Sequence, residues 1–109
     1  MLIYNSTINK IARTTARPFS KIIPVKFKFP VKGDYNIKLN AKTSIKFACN
    51  ETSYCGKILF WDGVEGYEYA VISVFMEMLK DVTTFFDVGA NLGYYSLVAK
   101  AINPMVKIV

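Results

Sequence analysis

The sequence predicts an α/β fold: a strand-loop-helix-strand unit, incomplete at its carboxyl end, preceded by a small antiparallel β-rich segment. Three observations carry this expectation. Apolar and polar residues alternate between residues 23 and 49, the period of half-buried strands. From about Tyr67 the period lengthens to that of a helix. The run Thr83 to Leu97, T-T-F-F-D-V-G-A-N-L-G-Y-Y-S-L, reads as a buried strand, a glycine-bearing turn and the first turn of a helix.

The chain is one domain in size at 109 residues, and 52% apolar residues with 15% aromatics supply a core, which excludes general disorder. Charges interrupt the apolar stretches well before the roughly 18 consecutive residues a membrane span needs. No transmembrane segment is expected.

The elements fall in three parts. Residues 1–22 form a leader in which Ile8, Ile11, Ala12 and Thr15 sit at helical spacing ahead of Pro18, predicting a short or frayed helix. Residues 23–62 form a hairpin-rich lead-in. Val25, Phe27 and Phe29 alternate with Lys26 and Lys28, and Tyr35, Ile37 and Leu39 alternate with Asn36 and Lys38. Pro30 to Asp34 supplies the turn between these two strands. Ile45, Phe47 and Cys49 continue the alternation. After the polar turn Asn50 to Gly56, the apolar run Ile58 to Trp61 completes a set of three or four antiparallel strands.

Residues 63–109 form the strand-loop-helix-strand part. The loop Asp62 to Gly66 leads into a helix whose core stripe is Val71, Val74, Phe75, Met78 and Leu79, with Tyr69, Ile72 and Met76 widening its apolar face. Lys80-Asp81 closes that helix, and Thr83 to Val88 follows as a strand buried on both faces. Tyr94 to Ile102 is the next helix, Asn103-Pro104 breaks it, and Val106 to Val109 begins a second strand, parallel to the first by a right-handed crossover.

The net charge of +6 is uneven: residues 1–33 hold seven Lys or Arg and no acid, while residues 34–109 hold seven basic and eight acidic side chains. A solvated basic leader is the expected reading, with non-specific contact to an anionic membrane surface or nucleic acid as the alternative. No specific nucleic-acid partner is expected. The first ten residues lack the charged n-region and apolar core of a secretory signal, so a cytoplasmic location is expected, although the Arg, Ser and Thr content of Ser6 to Ser20 has some transit-peptide character. The chain has no histidine and only Cys49 and Cys55. That excludes a Cys/His zinc site and every Ser-His or Cys-His nucleophile scheme within the segment. The two cysteines read as free thiols near strand ends, with a disulfide across the intervening turn as the alternative.

Asp87 stands at the carboxyl end of its strand, with Gly89 two residues later and Gly93 where the backbone enters the helix. Glycine accepts positive φ and lets a ligand approach the main chain without a Cβ in the way. Amides at the start of the Tyr94 helix favour a carboxylate or phosphate, while Asp87 favours a cationic or hydroxyl-bearing group in the same crevice. A ligand with a carboxylate, an ammonium and a ribose suits this pairing.

The segment D-V-G-A-N-L-G-Y-Y-S-L resembles the first cofactor motif of S-adenosylmethionine-dependent methyltransferases, and Asn91 between the glycines with Tyr94 and Tyr95 after them is similar to the FkbM-type form. Trp61-Asp62-Gly63 to Glu68 and the following helix resemble the segment preceding that motif. The resemblance covers residues 57–109 well, 23–56 loosely and 1–22 not at all. It implies the start of a Rossmann-like class I methyltransferase fold, with S-adenosyl-L-methionine as cofactor. Gly89, Ala90 and Gly93 would turn beneath the methionine part, Asp87 would face the amino-acid end, and Asn91 would line the loop. The implied reaction is O-methylation of a sugar or similar small metabolite, so the acceptor would be a small molecule or glycan. Asn91 replaces the middle glycine of the wider D-x-G-x-G-x-G pattern, and asparagine tolerates left-handed backbone angles.

Other readings stand beside this one. Asp87 can cap the turn, Gly89 and Gly93 can serve a tight connection, and Tyr67, Tyr69, Tyr94 and Tyr95 can be packing residues with wet hydroxyls. Trp61 reads as a lid on the core. Glu65 and Glu68 read as solvated acids at a helix N-terminus, with a role beside the cofactor's amino group as the alternative. A nicotinamide- or flavin-dependent oxidoreductase would need G-x-G-x-x-G and an acid about 20 residues on, which this spacing does not supply. A small non-catalytic interaction module, or a split-gene product using the basic leader, is the remaining class. The acid that would take the cofactor ribose falls near residue 109, so the chain is expected to hold the donor-binding motif alone and to be inactive by itself. No catalytic base and no metal site is nominated.

Overall fold

A computed structural model describes Leu2 and residues 5–109. Helix α1 (Ser6–Ala16) is capped by the Asn5 carboxamide oxygen, which accepts from the amides of Thr7 and Ile8 at 3.1 and 3.4 Å. The inward face of α1 is polar. Asn9 and Arg13 are buried, while Ile8 and Ile11 point to solvent. Asn9 explains its own burial: its Nδ2 donates to the Pro30 carbonyl at 2.9 Å and its Oδ1 accepts from the Lys32 amide at 3.2 Å. The leader is therefore docked on the body rather than merely solvated.

The alternation at Val25 to Phe29 forms no strand. Pro24 introduces a single 3-10 turn over Val25–Phe27, leaving Val25 and Phe27 exposed while Lys28 turns inward to pair with Asp62. The prolines at 24 and 30 lack the N–H a ladder requires, and pattern alone cannot register that deficit. Strand β1 (Gly33–Lys38) pairs instead with β2 (Ser44–Cys49), antiparallel, with Tyr35 opposite Phe47 and Ile37 opposite Ile45. Asn40 builds the turn by accepting from the amides of Lys42 and Thr43 at 2.9 and 2.8 Å. The period-two reading thus picks the right inward face, Tyr35, Ile37, Leu39, Ile45 and Phe47, but the wrong partner for β1.

The apolar run Ile58 to Trp61 is helical, not extended. It belongs to α2 (Tyr54–Asp62), capped by Ser53 Oγ on the Gly56 amide at 2.9 Å and ended by Gly63 at φ 69°. Gly56 lets α2 lie against β2, because a Cβ there would stand 2.5 Å from Cys49 Sγ. Helix α3 (Tyr69–Met78) turns Ile72, Phe75, Met76 and the following Leu79 inward and leaves Val71, Val74 and Met78 exposed. The expected stripe therefore loses those three residues. Both sets fit a helical period, and a helix apolar on nearly every side does not declare which set is covered.

Strand β3 (Thr84–Phe85) pairs in parallel with β4 (Lys107–Ile108), joined through α4 (Tyr94–Ile102). Bonds from Lys107 N to Thr83 O, Val109 N to Phe85 O and Asp87 N to Val109 O, each 2.9 Å, carry the ladder up to Asp87. Phe86 and Val88 are exposed, contrary to a strand covered on both faces. Asn103 seals the far end, donating to the carbonyls of Leu79 and Val82 at 2.9 Å each.

The molecule is mixed α/β, and a chain of edge-on aromatic contacts runs through it. Phe29 meets Trp61, Trp61 meets Phe60, and Phe60 meets Tyr35, each at 5.1 Å. The chain continues from Tyr35 to Phe47 at 5.9 Å and from Phe47 to Tyr94 at 6.0 Å, so it joins the hairpin to α4. No helix among the described residues is long and apolar enough to cross a membrane.

The hairpin assignment is testable by paired truncations. Phe47→Ala should lower unfolding free energy by about 3–5 kcal/mol, whereas Phe27→Ala should stay within about 0.5 kcal/mol. Urea denaturation of each variant measures both values; equal losses would contradict the observed pairing.

Candidate functional site

The turn after β3 is built from left-handed backbone. Gly89, Asn91 and Gly93 have φ of 73°, 50° and 72°. No heavy atom lies within 4 Å of where a Cβ would stand on Gly89 or Gly93, so both glycines serve backbone shape and open approach. Asp87, Gly89, Ala90 and Asn91 line a pocket of about 310 Å³. Gly93 does not line it but begins α4 behind it, where no side chain caps the helix amides. The pocket lies within the size range of small-molecule sites.

The other wall comes from sequence-distant elements. Cys55 of α2, Tyr67 and Glu68 before α3, and Tyr94 and Tyr95 of α4 complete the lining. Glu68, with φ 50°, and Asn91 are the only non-glycine residues in left-handed backbone among the described residues, and both face this one hollow. Such conformations cost on the order of 1–3 kcal/mol each and concentrate at functional sites. Glu68 is, as expected, an exposed acid at the N-terminus of α3, and it also lines the pocket and accepts a short hydrogen bond from the Tyr95 hydroxyl. Glu65 does not line the pocket.

Asp87 is held by the Ser96 hydroxyl, which donates to Oδ2 from the first turn of α4. This bond ties the strand end to the helix. Among the described residues no hydrogen bond reaches Oδ1. Tyr94 packs as expected, but its hydroxyl is not wet: it is buried and has no hydrogen-bond partner. An unpaired buried hydroxyl carries a penalty of roughly 1–3 kcal/mol.

The electrostatics of the pocket are one-sided. Two carboxylates, three phenols and one thiol line it, and no Lys or Arg does. Burial pushes the Tyr94 hydroxyl far above the ordinary phenol range, as it does for Tyr95, where the bond to Glu68 adds to the shift. Both therefore act as neutral donors. Burial also raises the Cys55 thiol, with the Tyr67 hydroxyl opposing and Glu68 reinforcing the rise. Cys49 and Cys55 are free thiols, and Cys49 is likewise raised by burial. The arrangement suits a ligand that is cationic and hydroxyl-bearing on the pocket side and anionic where it meets the helix amides. Glu68 is the alternative the sequence offered beside the cofactor's amino group, whereas Tyr67 and Cys55 escape a motif search because they lie outside the glycine turn; the left-handed backbone at Glu68 leaves no mark in the sequence.

Gly89→Ala should destabilise by about 1–2 kcal/mol from backbone strain alone, measured by urea denaturation, although its methyl meets nothing. An unchanged stability would contradict the left-handed turn. The raised thiols and phenols favour the neutral, folded state, so their contribution is fully present below the unfolded thiol value of about 8.5 and is lost as pH rises through the higher folded values. The urea midpoint should therefore hold from neutral pH to that value and fall above it; a midpoint that rises there would contradict the burial of these groups.

Comparisons with family models, curated proteins and solved structures return no match to this chain.

Proposed function

We propose that the pocket beside Asp87 holds S-adenosyl-L-methionine and that the chain is the donor-binding part of an FkbM-type methyltransferase with a Rossmann-like fold. The acceptor would be a hydroxyl of a sugar or similar small metabolite. One observation carries the reading: Asp87 to Leu92 of the motif open onto a pocket lined by two carboxylates and no cation, at the carboxyl end of a parallel strand. Ligands of open α/β sheets are held at such strand ends. A pyrophosphate-bearing nicotinamide cofactor would meet Asp87 and Glu68 unfavourably, which weighs against the oxidoreductase reading.

The donor set fits this ligand. Asp87 Oδ1 and Glu68 are acceptors for an ammonium group, and together they offset positive charge on a sulfonium. The uncapped amides at the start of α4 are donors for a carboxylate. When bound, S-adenosyl-L-methionine supplies an electrophilic methyl group on sulfur. The chain's contribution is positional: Ser96 fixes the Asp87 carboxylate, Tyr95 fixes Glu68, and the open Cβ position of Gly89 admits the ligand to the main chain.

Titration with S-adenosyl-L-methionine followed by amide chemical shifts tests the reading. Shifts should concentrate at residues 87–95 and at Glu68, and Asp87→Ala should weaken the apparent affinity at least about tenfold, the equivalent of 1.4 kcal/mol. Absence of shifts in that region at millimolar ligand, or equal shifts with NAD, would overturn it.

A further inference from the structure

A second hollow, about 500 Å³ and larger than the glycine-turn pocket, lies between α1 and β1. Its charge is of the opposite sign. Lys10, Arg13 and Arg17 line it, with Tyr35 and Phe60 as aromatic walls and Asp34 as its one acid. Asp34 is already engaged, 2.8 Å from Lys46 on the wet face of the hairpin. It does not neutralise the guanidinium groups.

Arg13 is the anomaly. It is 4% exposed, its Nε has no hydrogen-bond partner, and among the described residues no carboxylate lies within ion-pair distance of it. Its guanidinium carbon stands 5.8 Å from the Phe60 ring centre, and that of Arg17 stands 4.9 Å from the same ring. Two cations thus approach one aromatic ring with no carboxylate paired to either among the described residues. Cation-π contact is worth only about 0.5–2 kcal/mol, well short of the several kcal/mol that desolvating a charged group demands. Arg17 spends one N–H on the Asn36 carbonyl at 2.6 Å, which leaves further donors of its fork free.

We propose that this groove binds a phosphate-bearing small molecule, with the phosphoryl dianion held by Arg13 and Arg17 and assisted by Lys10. Two guanidinium groups match a dianion in charge, and their planar forks match its oxygens in geometry. The depth of Arg13 selects a soluble phosphate ester over a membrane plane or a nucleic-acid backbone, neither of which reaches a side chain so recessed. The aromatic walls leave room for an organic portion beside the phosphate. A sequence trace of the site exists in retrospect: Lys10, Arg13, Arg17 and Lys21 are spaced by three, four and four residues, one face of a helical path. Lys21 lines an adjoining hollow that shares Arg17 and Phe60. This inference does not depend on the methyl-donor reading, since the two pockets share no lining residue.

Thermal denaturation of the full chain in inorganic phosphate, in phenyl phosphate and in sodium chloride of matched ionic strength tests the proposal, with Trp61 fluorescence as a second readout. Both phosphates should raise the melting temperature saturably beyond chloride, and phenyl phosphate should do so at lower concentration. Arg13→Met, which replaces an unpaired buried charge by a side chain of similar length, should fold and lose the phosphate response. Should that variant fail to fold, Lys10→Gln, altered at an exposed position, decides by the same readout, with an apparent affinity about tenfold weaker expected. An equal effect of chloride, a full phosphate response in Arg13→Met or Lys10→Gln, or binding of phosphatidate vesicles without binding of either soluble phosphate would overturn the proposal.

Discussion

Tyr94 is where the structure is tied together. It is the first residue of α4, directly after the left-handed Gly93, and its ring is buried edge-on against Phe47 of the hairpin and Tyr67 ahead of α3. Tyr95 beside it passes the contact on to Phe75 and thence to Phe85 of β3, at 5.2 and 5.0 Å. Each aromatic pair adds roughly 0.5–1.5 kcal/mol beyond the area it buries, but the geometric consequence is larger than the energetic one. The glycines of the turn allow many backbone paths, and the position of the Tyr94 ring selects one. The hairpin is therefore not an appendage to the parallel unit: Phe47 is a wall against which the turn is set.

That arrangement also separates two electrostatic environments within a small molecule. On one side of the aromatic chain the pocket at the strand end collects Asp87, Glu68 and neutral hydroxyls. On the other, the α1 groove collects Lys10, Arg13 and Arg17. The buried rings between them, Tyr35, Phe60, Phe47 and Tyr94, keep each set of charges from neutralising the other. Each hollow is left with a buried polar group that the protein does not satisfy, the Tyr94 hydroxyl in one and Arg13 Nε in the other. A folded chain gives up stability to keep such groups: one is a neutral hydroxyl, the other belongs to a cation.

Much of this could be read in the sequence where a local rule has a single solution. The helix Tyr94–Ile102 is bounded by Gly93 and Asn103-Pro104, and the structure gives the same limits. The parallel pairing of residues near 84 and 107 and the inward face of the hairpin were legible for the same reason. What the sequence did not disclose depends on choices between equivalent local solutions. Tyr35, Ile37 and Leu39 could pair with either neighbouring segment, and only the missing N–H groups of Pro24 and Pro30 count against one of them. Ile58 to Trp61 is too short an apolar run to separate strand from helix. Charge patterning places arginine in solvent, and only the tertiary structure shows Arg13 buried, with its guanidinium near the Phe60 ring. At the site, the contiguous motif was visible and Glu68 stood as an alternative, while Tyr67 and Cys55 arrive through tertiary packing that no spacing rule encodes.

The central claim is that the hairpin, through Phe47 and Tyr94, holds the turn at Gly89 to Gly93 in place. Native-state hydrogen exchange tests it at the amide of Leu97, which bonds to the Gly93 carbonyl at 2.9 Å in the first turn of α4. The account predicts that Phe47→Leu, under conditions where the variant remains folded, lowers protection at Leu97 more than at the Asn103 amide at the far end of the same helix. Equal protection changes at the two ends, or none at Leu97, would contradict it.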